Sequence, residues 1–160
     1  MKLTNEGIAS IRRSTIEDLP GIERLLAESS LPTAGIADML ATDASSFFVA
    51  EDRGQGRGEA IVGVAGLEAC GDNALLRSVA VRPEWRSRGV GNELVSRVVS
   101  DAESRGLNAL YLLTLTAERY FPRFGFERIE RSTVPAGVAD TVEFKSACPD
   151  TATVMMRRCC

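Results

Sequence analysis

The feature that most constrains the fold is an amphipathic stretch, residues 89–105, that stands between two apolar runs, 74–81 and 108–114. Its apolar side chains recur four residues apart, and Gly106 follows as a helix stop. These positions are Val90, Leu94, Val98 and Ala102. The second run, "NALYLLT", is almost continuously apolar, as in strands buried on both faces. Two strands joined by a crossover helix pair in parallel, so the pattern predicts a parallel pair within an α/β sheet.

The preceding segments predict short alternating elements. Asp18 and Pro20 form a helix-start signal before apolar residues at helical spacing. Glycines in 53–59 suit a hairpin connection, and the Gly71–Asn73 turn leads into the 74–81 strand. The predicted elements are a strand in "SIRRST" (10–15), a second helix in "GIADMLATD" (35–43), and strands in "SFFVAED" (46–52) and "AIVGVAGLEAC" (60–70). The strands at 46–52, 60–70 and 74–81 therefore form an antiparallel meander.

The segments after 114 predict a short helix, a strand and a closing strand. Their sequences are "AERYFPRF" (117–124), ended by Gly125, "FERIERST" (126–133) and "ATVMMRR" (152–158). With no repeat or low-complexity segment, we expect one α/β (α+β) domain over residues 1–160, with its core at about 10–158.

Composition excludes several classes of function. The formal net charge is -3 and the pI about 5.1, so no global basic field favours nucleic acid or an anionic membrane as partner. Neither a long apolar run nor a signal peptide is evident, and we expect a cytoplasmic protein. Without histidine, and with four cysteines lacking CxxC spacing, we expect reduced thiols and no metal. Cys148, Cys159 and Cys160 have two alternative interpretations, a thiol site for trivalent arsenic or a plain cysteine-ended tail.

The segment "RPEWRSRGVG" (82–91) places glycines and arginines between a strand and a helix N-terminus. Unpaired N–H groups and the helix dipole at such a turn bind phosphate. Gly89 and Gly91 let the backbone approach a diphosphate, and Arg86 and Arg88 can add charge-assisted bonds. A P-loop lysine and the third glycine of a dinucleotide fingerprint are missing. A plain helix start with exposed arginines is the alternative.

The order of these elements around R-x-x-G-x-G and "RFGF" resembles the GNAT family of acetyl-CoA-dependent N-acetyltransferases over residues 10–158. The resemblance implies a mixed central sheet with helices on both faces and splayed central strands. It implies that the 86–91 turn cradles the pyrophosphate of acetyl-CoA and that the 78–81 strand pairs with the pantetheine arm. The implied cofactor-binding residues are Val79, Ala80, Val81, Arg86, Ser87, Arg88, Gly89, Val90, Gly91 and Thr114.

Three longer segments narrow the resemblance to the arsenic-resistance branch of that family. They are "GLEACGDNALLRSVAV", "LYLLTLTAERYFPRFGF" and "VPAGVADTVEFKSACPDTATVMM". Relatives there acetylate arsinothricin and phosphinothricin, glutamate analogues with a free α-amine, which implies a small anionic amine as acceptor. A different amine (a protein N-terminus, a lysine or a polyamine) and a non-catalytic acyl-CoA sensor are the alternatives. For the oligomeric state, a homodimer is one of the alternatives.

Candidate catalytic and substrate residues lie at strand ends. Glu68 is a candidate base acting through water, and its alternative is a solvated carboxylate. A backbone N–H near Val79 or Val81 is a candidate for stabilising the oxyanion, and Val79 is preferred. A two-residue period puts Arg77 and Val79 on one face of their strand, so Arg77 can clamp an acid group bidentately. An ion pair between Arg77 and a neighbouring strand is the alternative.

One position departs from the family pattern. Where many relatives carry a tyrosine that protonates the leaving thiolate, this chain has Phe121. Tyr120 is one residue away, which on a helix turns it by about 100 degrees. We therefore expect Tyr120 not to replace the missing acid.

Overall fold

A seven-stranded mixed sheet organises the chain in the computed structural model, which describes residues 9–42, 45–52, 61–141, 143–147 and 151–159. The strands are β1 (Ala9–Arg13), β2 (Ser46–Asp52), β3 (Ile61–Cys70), β4 (Asn73–Val81), β5 (Ala109–Thr114), β6 (Glu127–Arg128) and β7 (Thr153–Arg158). Their order is β1-β2-β3-β4-β5-β7-β6. The helices are α1 (Leu19–Glu28), α2 (Ile36–Leu40), α3 (Val90–Ser104) and α4 (Ala136–Ala139). None of the helices in these described ranges is long and apolar enough to cross a membrane.

The predicted meander and parallel pair are confirmed. Strands β1 to β4 pair antiparallel in sequence order, and β4 pairs with β5 in parallel after the α3 crossover. The described β4–β5 ladder has two residue pairs, Ala74 with Leu110 and Leu75 with Tyr111. Beyond them the strands diverge, so the sheet opens towards the C-terminal ends of both strands.

Helices cover both faces of the sheet, as expected. Helix α3 buries Leu94, Val95 and Val98 against one face, and α1 buries Ile22 and Leu26 against the other. Apolar burial of this kind is the main source of domain stability. The two layers fix the sheet from both sides and hold the start of α3 at the end of β4.

A β-bulge in β4 alters the predicted alternation of side chains. Ser78 has a positive φ of 60°, and the β3–β4 register shifts between the Gly66–Arg77 and Val64–Ala80 pairs. The extra residue turns Val79 towards the α3 face, whereas Arg77 stays on the α1 face. The expectation that Arg77 and Val79 share one face is therefore wrong, because strict alternation holds only in an uninterrupted strand.

The segments after β5 are less regular than their sequences predict. Instead of a helix over 117–124, the chain forms turns and then a 3-10 helix, Phe121–Phe124, in which Pro122 occupies an early position. The predicted strand at 126–133 is limited to β6, followed by a 3-10 turn at Arg131–Thr133. The predicted hairpin connection at 53–59 lies outside the described residues.

Candidate active site

The divergence of β4 and β5 opens a cleft of about 1080 Å³. One wall is the edge of β4 from Leu76 to Val81, and the other is 112–117 at the end of β5. One end reaches the turn before α3, and the other reaches Arg77 and Glu143. Strand β4 therefore connects a glycine-containing turn to a charged group.

The turn at 86–91 has the backbone geometry of an anion site. Gly89 precedes α3 with a positive φ of 86°, and a Cβ there would meet nothing within 4 Å among the described atoms. Helix α3 is 15 residues long, so its first N–H groups and its dipole face the turn. Ser87 also has a positive φ, of 66°.

The two arginines of the turn have different surroundings. Arg86 lines the cleft, and its Nε donates to the Val81 carbonyl at 3.0 Å. The Arg88 guanidinium lies 4.7 Å from the centre of the Trp85 ring. The side chain of Val90 is buried in the core beneath α3, so a ligand can contact this residue through its backbone.

The β4 edge presents its backbone to the cleft. Val79, Ala80 and Val81 line it, beyond the last described residue pair with β5. Across the cleft, the hydroxyl oxygen of Thr114 accepts a bond from the Ala117 N–H at 2.9 Å. This bond fixes the turn after β5. The Thr114 O–H group stays available to donate a hydrogen bond.

Tyr120 and Phe121 have distinct positions. Phe121 is 6% exposed and packs edge-on against Phe126 in the core, while also lining the cleft. The Tyr120 hydroxyl donates to Asn92 Oδ1 at 2.7 Å, at the start of α3. Burial raises the pKa of Tyr120, and the nearby Arg123 guanidinium opposes this effect. The tyrosine therefore stays protonated at neutral pH.

Arg77 lies between two carboxylates. Its Nη1 bonds to Glu68 Oε1 at 2.9 Å, and its Nη2 lies 3.1 Å from Glu143 Oε1 and 3.1 Å from the Ala34 carbonyl. The side chain of Arg77 is 1% exposed. The ion pair with a neighbouring strand, one of the two alternatives from the sequence, is thus present. A bidentate clamp on a ligand would have to displace a glutamate.

Glu143 is a cleft residue that sequence reasoning missed. It begins a short helical turn, Glu143–Ala147, and its side chain is 8% exposed. The only sequence signal is its place in "VADTVEFKSACPD", a segment with weak periodicity. Glu68, the candidate base, contacts Arg77 from the side of β3 and is not among the described residues that line the cleft.

Two of the four cysteines lie among the described residues, and they belong to different buried clusters. Cys70 is a buried free thiol, and Cys159 is buried as well. Burial, reinforced by Glu68, raises the pKa of Cys70 to about 12. Cys148 and Cys160 lie outside the described residues. No group of three or more potential metal ligands occurs among the residues that the structure describes.

Comparisons with known proteins agree with this fold. A family model described as acetyltransferase (GNAT) domain matches residues 43–128. A GNAT-family acetyltransferase from Staphylococcus aureus Mu50 superimposes with a TM-score of 0.77 at 15% identity, over 96% of this chain and 100% of that one. An N-acetylglutamate synthase from Neisseria gonorrhoeae, complexed with coenzyme A and N-acetyl-glutamate, gives 0.76 at 19% identity, over 98% of this chain and 36% of that one.

Among curated proteins, the chain is similar to amino-acid acetyltransferases. That of Ectopseudomonas mendocina (strain ymp) is 28% identical over 148 residues, which is 89% of this chain and 33% of the relative. That of Aeromonas salmonicida (strain A449) is 28% identical over 139 residues, covering 84% and 30%. The chain thus spans about a third of the length of these relatives.

Proposed function

Because the chain belongs to the GNAT acetyltransferase family, whose model matches more than half of it, we propose that it transfers the acetyl group of acetyl-CoA to the amine of a small, amino-acid-like acceptor. The observation that carries this proposal is the cleft between β4 and β5. Its two ends differ chemically, with a helix N-terminus at one and an arginine–glutamate pair at the other. This polarity suits a phosphate-bearing donor and a small charged acceptor bound along one strand edge.

For the donor, we propose that the turn before α3 binds the pyrophosphate. The N–H groups around Gly89 and Gly91, with Arg86 and Ser87 beside them, supply an electropositive rim. The β4 backbone from Val79 to Val81 is free of a described strand partner on the cleft side, which supports pairing with an extended arm. Thr114 contributes its hydroxyl from the opposite wall.

For the reaction, the chain mainly positions two reactants in line. The acceptor nitrogen attacks the thioester carbonyl, a C–N bond forms, and the C–S bond breaks to release the thiolate. Such positioning is worth up to about 7–11 kcal/mol. We propose that the N–H of Val79, next to the bulge, stabilises the oxyanion, and that Glu68 accepts the amine proton through water. With Phe121 at the usual acid position, the thiolate leaves without a proton from that side chain.

For the acceptor, we propose an anionic α-amino acid. The relatives named amino-acid acetyltransferases and the neighbour bound to N-acetyl-glutamate support this class. Glutamate analogues such as arsinothricin and phosphinothricin, suggested by the resemblance to the arsenic-resistance branch, belong to it. Arg77 already bonds to Glu68 through Nη1 and to the Ala34 carbonyl through Nη2. These bonds suit a single further contact from Nη1 to the acid group of the acceptor, and not a bidentate clamp.

A thiol-release assay with acetyl-CoA and an amine panel tests the proposal. We expect L-glutamate to be acetylated faster than L-glutamine, its neutral isostere, and faster than spermidine or a lysine peptide. Fastest release with spermidine or the peptide would replace the anionic acceptor by another amine. Binding of acetyl-CoA without release for any amine would favour a sensor over an enzyme.

A further inference from the structure

We propose that Glu143 binds the ammonium group of the acceptor, so that the Arg77–Glu143 pair recognises both charges of an α-amino acid. This inference rests on the proposed function and specifies which residues recognise the acceptor. The pair lies in the wall of the cleft, with Arg77 Nη2 and Glu143 Oε1 3.1 Å apart. A zwitterion carries the complementary pair of charges at a similar separation.

Position in the cleft wall favours Glu143 over Glu68 as the carboxylate that binds a ligand. Glu143 lines the cleft with 8% of its side chain exposed, compared with 1% for Arg77. Glu68 bonds to the same guanidinium and is 20% exposed, but it is not among the described residues that line the cleft. Of the two carboxylates, Glu143 is therefore the one that borders the cleft among the described residues.

The chemistry of the Glu143 carboxylate also suits the ammonium group of the acceptor. Two carboxylates, those of Glu68 and Glu143, lie within 3.1 Å of the Arg77 guanidinium. An ammonium group donates charge-assisted hydrogen bonds to a carboxylate. Hydrogen bonds between charged partners are stronger than bonds between neutral groups.

The geometry of Arg77 keeps Glu143 in place for this contact. The guanidinium is anchored by the Ala34 carbonyl before α2 and by Glu68 on β3, at 3.1 and 2.9 Å. Through Arg77, the segment that begins at Glu143 is tied to the sheet at the acceptor end of the cleft. Arg77 is thus a positioning residue for Glu143 as well as the proposed partner of the acid group.

The test uses steady-state thiol release with L-glutamate and the isosteric substitution Glu143→Gln. We expect KM for glutamate to rise about tenfold or more, because a charge-assisted bond is lost, while the Kd for acetyl-CoA changes less than about twofold. Glutarate keeps both acid groups and lacks the amine, so its inhibition constant should be equal in the wild type and the variant. Asp140→Asn, an exposed carboxylate of the same segment, is the matched control and should leave KM unchanged.

Two further outcomes keep the inference falsifiable. Glu143→Asp, which retains the charge, should keep more glutamate affinity than Glu143→Gln, whereas equal losses would indicate a merely structural role. An unchanged KM in Glu143→Gln, with an active wild-type enzyme, overturns this inference alone. Absence of thiol release by the wild type overturns the proposed function and this inference together.

Discussion

At the scale of single residues, Gly89 combines a backbone requirement with a proposed contact to the donor. Its φ of 86° lies in the left-handed region, where a Cβ costs roughly 1–2 kcal/mol. Space is not the constraint, since a Cβ would meet nothing within 4 Å among the described atoms. Comparing a neutral with an acidic substitution at this position therefore distinguishes the effect of backbone strain from the effect of repelling a bound anion.

We expect Gly89→Asp to weaken acetyl-CoA binding by about tenfold or more relative to Gly89→Ala, as loss of a charge-assisted contact predicts. Both variants carry the strain of a Cβ, but only the aspartate places a negative charge beside the pyrophosphate. Isothermal calorimetry measures the two affinities, and circular dichroism checks the fold. Equal affinities in folded variants would place the pyrophosphate elsewhere.

Tyr120→Phe tests whether the neighbouring tyrosine replaces the missing acid at Phe121. We expect kcat to fall by less than about tenfold, the effect of one ordinary hydrogen bond. The Tyr120 hydroxyl donates to Asn92, and the ring keeps its edge contact with Phe121 and the stacked Arg123 after substitution. A fall of about a hundredfold, some 2.7 kcal/mol, with donor affinity intact would identify Tyr120 as the acid.

At the scale of elements, an ion-pair network ties β1 to the start of α1. Arg12 on β1 bonds to both oxygens of Asp18 at 2.8 and 2.9 Å, and to Glu51 on β2 at 3.1 Å. Asp18 also accepts the Thr15 N–H at 2.8 Å. The Arg12 guanidinium lowers the pKa of Asp18 below its usual range, against the opposing effect of burial.

This shift makes a stability prediction with a definite sign. A carboxylate with a lowered pKa stabilises the fold above its unfolded value, about pH 4, and loses that contribution as the pH falls through its folded value. We expect Asp18→Asn to lower Tm at pH 7 and to differ little from the wild type well below pH 4. Asp38→Asn, an exposed carboxylate on α2, is the control in the same thermal melts. A decrease in Tm for Asp18→Asn that is independent of pH would mean that packing, and not charge, causes the decrease.

At the scale of the whole molecule, the cleft divides the sheet. Strands β1 to β4 and strands β5 to β7 are joined across two described residue pairs, at Ala74 and Leu75. Helix α3 packs mainly on the first group. A ligand that pairs with the β4 edge and touches the β5 wall adds contacts between the two groups.

We expect acetyl-CoA at about 100 times its Kd to stabilise the fold by about 2.7 kcal/mol, since it binds the folded state. For a domain of this size, that corresponds to a rise in Tm of about 5–11 °C. Hydrogen exchange should slow at 76–81 and 112–114, the two walls of the cleft. Gly89→Asp serves as the control and should reduce the shift, whereas an absent shift with the wild type would contradict donor binding.

The sequence by itself determined the meander, the crossover helix and the turn that precedes it. These features depend on local periodicity and on residues with distinct backbone preferences, such as Gly89 and Gly106, which both have positive φ. The parallel pairing of β4 and β5 followed because a crossover helix constrains the direction of its two strands. The family resemblance rested on this order, and the GNAT family and fold are confirmed.

Only the tertiary structure decided what each side chain faces. The bulge at Ser78 separated Arg77 from Val79, because one inserted residue shifts every later side chain to the opposite face. The weakly patterned segment after 134 placed Glu143 beside Arg77, two residues that are far apart in sequence. Local sequence constrains backbone shape within a few residues, whereas an ion pair between distant residues depends on the packing of all the elements between them.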